Sequence, residues 1–129
     1  MSPGVLLVED SPSSQLAFTE LLQVLGFRLL AILARESDAT EWLHAHRGEA
    51  DVVVLDLLLL EGSGFNLISR AREQQPRATV LVFSDFATPA IAQKCRSYGA
   101  DAVFRKSETG EFTAYLEALR HGRQTKPEV

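Results

Sequence analysis

The sequence predicts an α/β fold, a doubly wound, three-layer sandwich in which five parallel strands alternate with five helices. Three observations carry that expectation. Five short apolar runs recur along the chain without clean period-two alternation, the pattern of strands covered on both faces. Amphipathic stretches with helical spacing separate those runs. Caps, prolines and glycines fall where one kind of segment gives way to the other.

In chain order, Val5-Leu6-Leu7-Val8 is the first strand. Ser11-Pro12 then offers a cap followed by proline in the first helical turn. Phe18, Leu21, Leu22 and Leu25 form one apolar stripe, and Gly26 sits where a helix ends in a left-handed residue. Leu29 to Leu33 is the second strand, and Ala39 and Leu43, with Trp42 beside them, begin the second helical stripe. Val52-Val53-Val54-Leu55 is the third strand, followed by a helix marked by Leu67, Ile68 and Ala71. Val80-Leu81-Val82-Phe83 is the fourth, and Thr88-Pro89 opens the helix of Ile91, Cys95 and Tyr98, which closes at Gly99. Ala102-Val103-Phe104 is the fifth strand, and Phe112, Leu116 and Leu119 the last stripe, with Gly122 at its end. Connections between parallel strands should be right-handed.

A chain of 129 residues is the size of one domain. It should bury roughly two-thirds of its unfolded surface, so neither a disulfide nor a structural metal is needed. The expected organisation is one folded domain over residues 1–122, a short polar tail over 123–129, and no further domain. The single cysteine, Cys95, cannot form an internal bridge, which fits a reducing, cytoplasmic setting. No signal peptide or membrane span is legible, because the apolar run from Val52 to Leu60 is short and contains Asp56. A net charge of −4 gives no basic surface for direct contact with nucleic acid.

In an open parallel sheet, function gathers beyond the carboxyl ends of the strands. Here the first run ends in Glu9-Asp10, the third in Asp56, the fourth in Ser84-Asp85 and the fifth in Arg105-Lys106. An isolated Glu9-Asp10 pair could simply begin a helix, where acidic residues favour the positive end of the dipole. With Asp56 and Lys106 at matching strand ends, it reads as a site. Crowded carboxylates repel, and a bound cation relieves them. Oxygen ligands without histidine or thiolate suit a hard ion such as Mg²⁺. A carboxylate can also attack phosphorus, and phosphoryl transfer asks chiefly for positioning and charge neutralisation. A metal, Lys106 and the Ser84 hydroxyl would supply these around Asp56 as acceptor.

Val5-Leu6-Leu7-Val8-Glu9-Asp10, Val53-Val54-Leu55-Asp56-Leu57 with Gly62 and Gly64, Val82-Phe83-Ser84, and Gly99-Ala100-Asp101 leading to Lys106 together resemble the receiver domain of two-component response regulators. The resemblance implies a flavodoxin-like sheet with strand order 2-1-3-4-5. It implies that Asp56 takes a phosphoryl group from a sensor histidine kinase or phosphotransfer protein. Asp10 and Asp56 would ligate Mg²⁺ directly, Glu9 would act through water, and the main-chain carbonyl of Leu58 would complete the set. Ser84 would hydrogen-bond one phosphoryl oxygen and Lys106 would pair with another. Ala87-Thr88-Pro89 and Phe104-Arg105-Lys106-Ser107 are similar to a subgroup often found as single-domain proteins. The resemblance places the switching surface on Ala90–Tyr98, Ala102–Arg105 and Glu111–Arg120, for an unknown downstream protein or a second copy in a homodimer.

Four positions depart from the usual receiver pattern. Asp85 stands where a small residue commonly admits the donor, and Val103 where a rotating aromatic reports activation. Ser107 replaces the proline after the lysine, so a trans bond is expected, and Leu60 replaces a frequent proline. Asp85 and Val103 support a second reading, a phosphorylation-independent interaction module on the same fold. A turnover enzyme is disfavoured: an aspartyl phosphatase would keep a second acid where Leu58 stands, and no P-loop is present. Cys95 reads as core, and Trp42 and Tyr98 as packing or partner surface. His44 and His46, two apart, share no helix face and make poor joint ligands. The Leu57–Leu60 run is either a shield over the site or a docking patch.

Overall fold

In the computed structural model, which describes residues 2–122, β1 (Gly4–Val8), β2 (Arg28–Leu33), β3 (Val52–Leu55), β4 (Thr79–Phe83) and β5 (Ala102–Phe104) alternate with five helices. These are α1 (Pro12–Leu25), α2 (Glu36–Ala45), α3 (Phe65–Gln74), α4 (Pro89–Ser97) and α5 (Thr109–Gly122). The five strands are all parallel and lie in the order β2-β1-β3-β4-β5. The doubly wound architecture expected from the sequence is therefore present. The tail at 123–129 lies outside the described residues, and Gly122 falls within α5 rather than beyond its end.

Alternate residues of each central strand feed two separate cores. Leu6, Val8, Val53, Leu55, Val80 and Val82 face α2, α3 and α4, where Ala39, Leu43, Leu67, Ile68, Ala71 and Cys95 meet them. Val5, Leu7, Val52, Val54, Leu81 and Phe83 face α1 and α5, meeting Phe18, Leu22, Phe112 and Leu116. Burial on both faces explains why no strand shows period-two alternation. The caps form as expected: Ser11 Oγ accepts from the Ser14 amide, Thr88 Oγ1 accepts from the Ile91 amide, and Gly26 takes φ 87°.

α2 is capped from elsewhere in the chain. Its N-cap position is held by Arg35, whose side chain makes no capping bond. The carbonyl of Glu61 accepts from the Glu36 amide instead, and the Glu61 carboxylate accepts from the Ser37 amide at 3.2 Å and the Ser37 hydroxyl at 2.8 Å. The loop after β3 thus caps a helix from outside it. Among the described residues, no helix is long and apolar enough to cross a membrane.

Candidate acidic site at the carboxyl edge of the sheet

Register decides which side chains meet. Val8 of β1 pairs with Leu55 of β3, so Glu9 and Asp56 leave the sheet side by side, and the Asp56 amide donates to the Val8 carbonyl at 2.9 Å. Phe83 pairs with Phe104, and the Ser84 amide donates to the Phe104 carbonyl at 3.0 Å, which brings Ser84 and Lys106 to the same edge. Glu9, Asp56 and Ser84 are all buried, while Asp10 is half-buried. One carboxylate oxygen from each of Glu9, Asp10 and Asp56 lies within 4.8 Å of the others.

Lys106 pairs with two of the three carboxylates. Its Nζ lies 2.8 Å from Asp56 Oδ2 and 2.9 Å from Glu9 Oε1. The contact with Oε1 is an ion pair without hydrogen-bond alignment, and that buried oxygen has no other partner. Glu9 Oε2 accepts from the Ser11 amide at 3.0 Å. Burial, reinforced by the neighbouring Asp56 charge, pushes the Glu9 carboxyl up against the downward pull of Lys106 and the Ser11 amide. Burial alone would lower the Lys106 ammonium, but its contacts with Asp56 and Glu9 outweigh that and hold it above its ordinary value. One ammonium stands among three carboxylates, so the site carries uncompensated negative charge. A small hard cation fits such a donor set.

The sequence model of the response regulator receiver domain matches residues 5–117. The chain belongs to that family. Receiver domains are signalling modules of two-component systems that work with histidine kinases and downstream effectors, and they do not turn over an external substrate. The transcriptional regulatory protein MalR of Bacillus subtilis is 30% identical over 119 residues, covering 91% of this chain and 50% of MalR. A LuxR-family two-component response regulator from Aurantimonas sp. SI85-9A1 superposes with a TM-score of 0.80 at 25% identity, covering 95% of this chain and 87% of that one. The CheX–CheY–BeF3–Mg²⁺ complex from Borrelia burgdorferi gives 0.81 at 22% identity, covering 90% and 87%, a likeness of fold. This receiver spans between 10% and 54% of the length of the curated relatives it matches, so the activities of those whole proteins are theirs.

The departures from the usual receiver pattern are visible in place. Asp85 is exposed on the turn after β4, where the Phe86 amide donates to Ser84 Oγ at 3.3 Å. Val103 packs with the α2–α4 core. Phe104 points to the other face, 5.4 Å from Phe112 and 5.6 Å from Tyr115 between ring centroids. The peptide bond after Lys106 is trans, as expected with Ser107 there. The leucine run resolves into two alternating sets: Leu57 and Leu59 enter the core, whereas Leu58 and Leu60 are exposed.

Sequence reading missed several long-range contacts, of which that of Glu36 lies at the loops beyond the carboxyl edge and those of Arg72 and Gln75 at the opposite, amino edge of the sheet. Arg72 donates to Asp101 Oδ2 at 2.9 Å, and the same oxygen accepts from the Val80 amide at 2.8 Å, which ties α3 to the starts of β4 and β5. Gln75 is fully buried and accepts from the Ala50 amide while donating to the His46 carbonyl. Glu36 accepts from the Ser63 amide and Asn66 Nδ2. Each partner lies more than twenty residues away, and no local pattern announces such a pair. His46 stacks on Trp42 at 4.4 Å, and Cys95 is buried as a core residue.

Proposed function

We propose that Asp56 accepts a phosphoryl group from the phosphohistidine of a sensor kinase or phosphotransfer protein, and that this modification switches a protein-binding surface. The observation that carries the reading is the convergence of Glu9, Asp10 and Asp56, with Lys106 paired to Glu9 and Asp56, at the carboxyl edge of a parallel sheet. Asp10 and Asp56 would hold Mg²⁺ directly, with the Leu58 carbonyl, and Glu9 through water. Bound there, Mg²⁺ supplies positive charge to the phosphoryl oxygens.

The remaining work belongs to side chains. An Asp56 carboxylate oxygen forms the new bond to phosphorus while the phosphorus–nitrogen bond to the donor imidazole breaks, its electron pair returning to nitrogen. The Leu58 amide, 3.3 Å from Asp56 Oδ1, helps to orient the carboxylate. Lys106 already touches Asp56 and would pair with a transferred oxygen. Ser84 Oγ accepts from the Phe86 amide, which leaves its proton to donate to another. The responsive surface would be α4, β5 and α5, used by a downstream protein or a second copy. The reading places the protein in the cytoplasm beside its kinase.

A second reading, the phosphorylation-independent interaction module, is favoured by exposed Asp85 at the entrance and by Val103 in place of an aromatic. Intact mass after incubation with acetyl phosphate separates the two. The proposal expects a Mg²⁺-dependent gain of one phosphoryl group by the wild type and none by Asp56→Asn. No gain by a folded wild type, with a reactive control receiver and a cognate phosphohistidine donor also tried, supports the interaction module.

A further inference from the structure

The loop after β3 does more than connect. From Leu57 it reaches the β2–α2 connection, although β1 lies between β3 and β2 in the sheet. There the Leu60 amide donates to the Ala34 carbonyl at 3.0 Å, the Glu36 amide donates to the Glu61 carbonyl at 2.8 Å, and Glu61 forms a parallel bridge with Arg35. The loop then folds back, with an antiparallel bridge between Leu58 and Ser63 and a left-handed Gly62 at φ 83° in the turn. Glu36 Oε1 closes this hairpin by accepting from the Ser63 amide at 2.9 Å and Asn66 Nδ2 at 3.1 Å. The fit is tight, since a Cβ at Gly62 would lie 2.4 Å from the Glu36 side chain. Two glutamates thus exchange places: Glu61 of the loop caps α2, and Glu36 of α2 holds the loop.

We propose that Glu36 is a positioning residue for the cation site. By accepting the Ser63 amide it fixes the Leu58–Ser63 hairpin, and with it the Leu58 carbonyl that completes the ligand set around Asp56. The inference rests on the cation reading of the acidic cluster and adds a residue at the far edge of the sheet to it. Its physical basis is that a main-chain ligand on an exposed loop binds weakly unless the loop is already held, and outer partners of a metal site commonly govern its affinity. α2 in turn becomes an element whose N-terminus is coupled to occupancy of the site.

Two substitutions separate geometry from charge. Glu36→Asp keeps the charge and suits a helix N-terminus, but is one methylene too short to reach the Ser63 amide. Glu36→Gln removes the charge and keeps the accepting oxygen at full reach. Mg²⁺ is titrated into each folded protein by calorimetry, with amide hydrogen exchange at Leu58 and Ser63 as the second readout. The proposal expects Glu36→Asp to weaken Mg²⁺ binding by roughly tenfold with faster exchange at both amides, and Glu36→Gln to stay within roughly threefold of wild type. The opposite order, with Gln weak and Asp unchanged, makes the effect one of charge and overturns the proposal. Equal affinities in all three overturn it as well. Absence of Mg²⁺ binding by the wild type would instead overturn the cation reading beneath it.

Discussion

Asp10 is where stability and function pull in opposite directions. It is the half-buried member of a carboxylate trio within 4.8 Å, and the Lys106 contacts go to Glu9 and Asp56. Like charges at that separation cost about 1 kcal/mol where solvent reaches them and more where it does not. In metal-free buffer, Asp10→Asn should therefore stabilise the protein by about 1 kcal/mol, read by urea unfolding in the presence of chelator. In the same variant Mg²⁺ affinity should fall by roughly tenfold or more, and the stabilisation that wild type gains from added Mg²⁺ should shrink with it. A destabilised Asp10→Asn would show that the trio is not under repulsive strain. Glu9 differs in kind. Its burial is compensated by Lys106 and the Ser11 amide, so removing its charge also removes contacts.

At the scale of elements, the junction of β3 with α3 sets the site. Gly64 has φ −65°, an ordinary helical value, so conformational freedom is not the reason for glycine. Space is. A Cβ there would sit 2.0 Å from the Asp56 carbonyl oxygen. Gly64→Ala should cost about 1–3 kcal/mol in urea unfolding and displace Asp56 enough to weaken phosphorylation. Gly110→Ala in α5, where nothing lies within 4 Å, should cost nothing measurable by the same assay. An equal loss in both would refute the steric account.

The strands and the starts of α1 and α4 were legible because their causes are local: an apolar run, or a hydroxyl followed by proline. Glu9, Asp10, Asp56, Ser84 and Lys106 were legible because strand ends in a parallel sheet share one edge. The outside cap on α2 was not, since Glu61 lies more than twenty residues from Ser37 and neither residue is unusual alone. The split of the leucine run was equally hidden. Leu57 and Leu59 look no different from Leu58 and Leu60 until the hairpin alternates them between core and solvent.

For the whole molecule, the two cores are wired to the site differently. The α1–α5 core is a ring cluster in which Phe112 meets Phe18, Phe83 and Phe104 at centroid distances of 5.6, 4.3 and 5.4 Å. Phe104 is held within it, and Val103 occupies the opposite face, so the aromatic reporter of many receivers has no counterpart at that position. Two contacts link the site's edge to β5 and the segment after it: the Ser84 amide meets the Phe104 carbonyl, and Lys106 pairs with Asp56. All of this presupposes that Asp56 takes the phosphoryl group. The measurement that tests this most directly is borohydride reduction after incubation with acetyl phosphate and Mg²⁺, followed by peptide mapping. An aspartyl phosphate at residue 56 should appear as homoserine at that position, only when Mg²⁺ and donor are both present. Homoserine elsewhere, or none in a folded protein that takes up phosphoryl groups, would contradict the account.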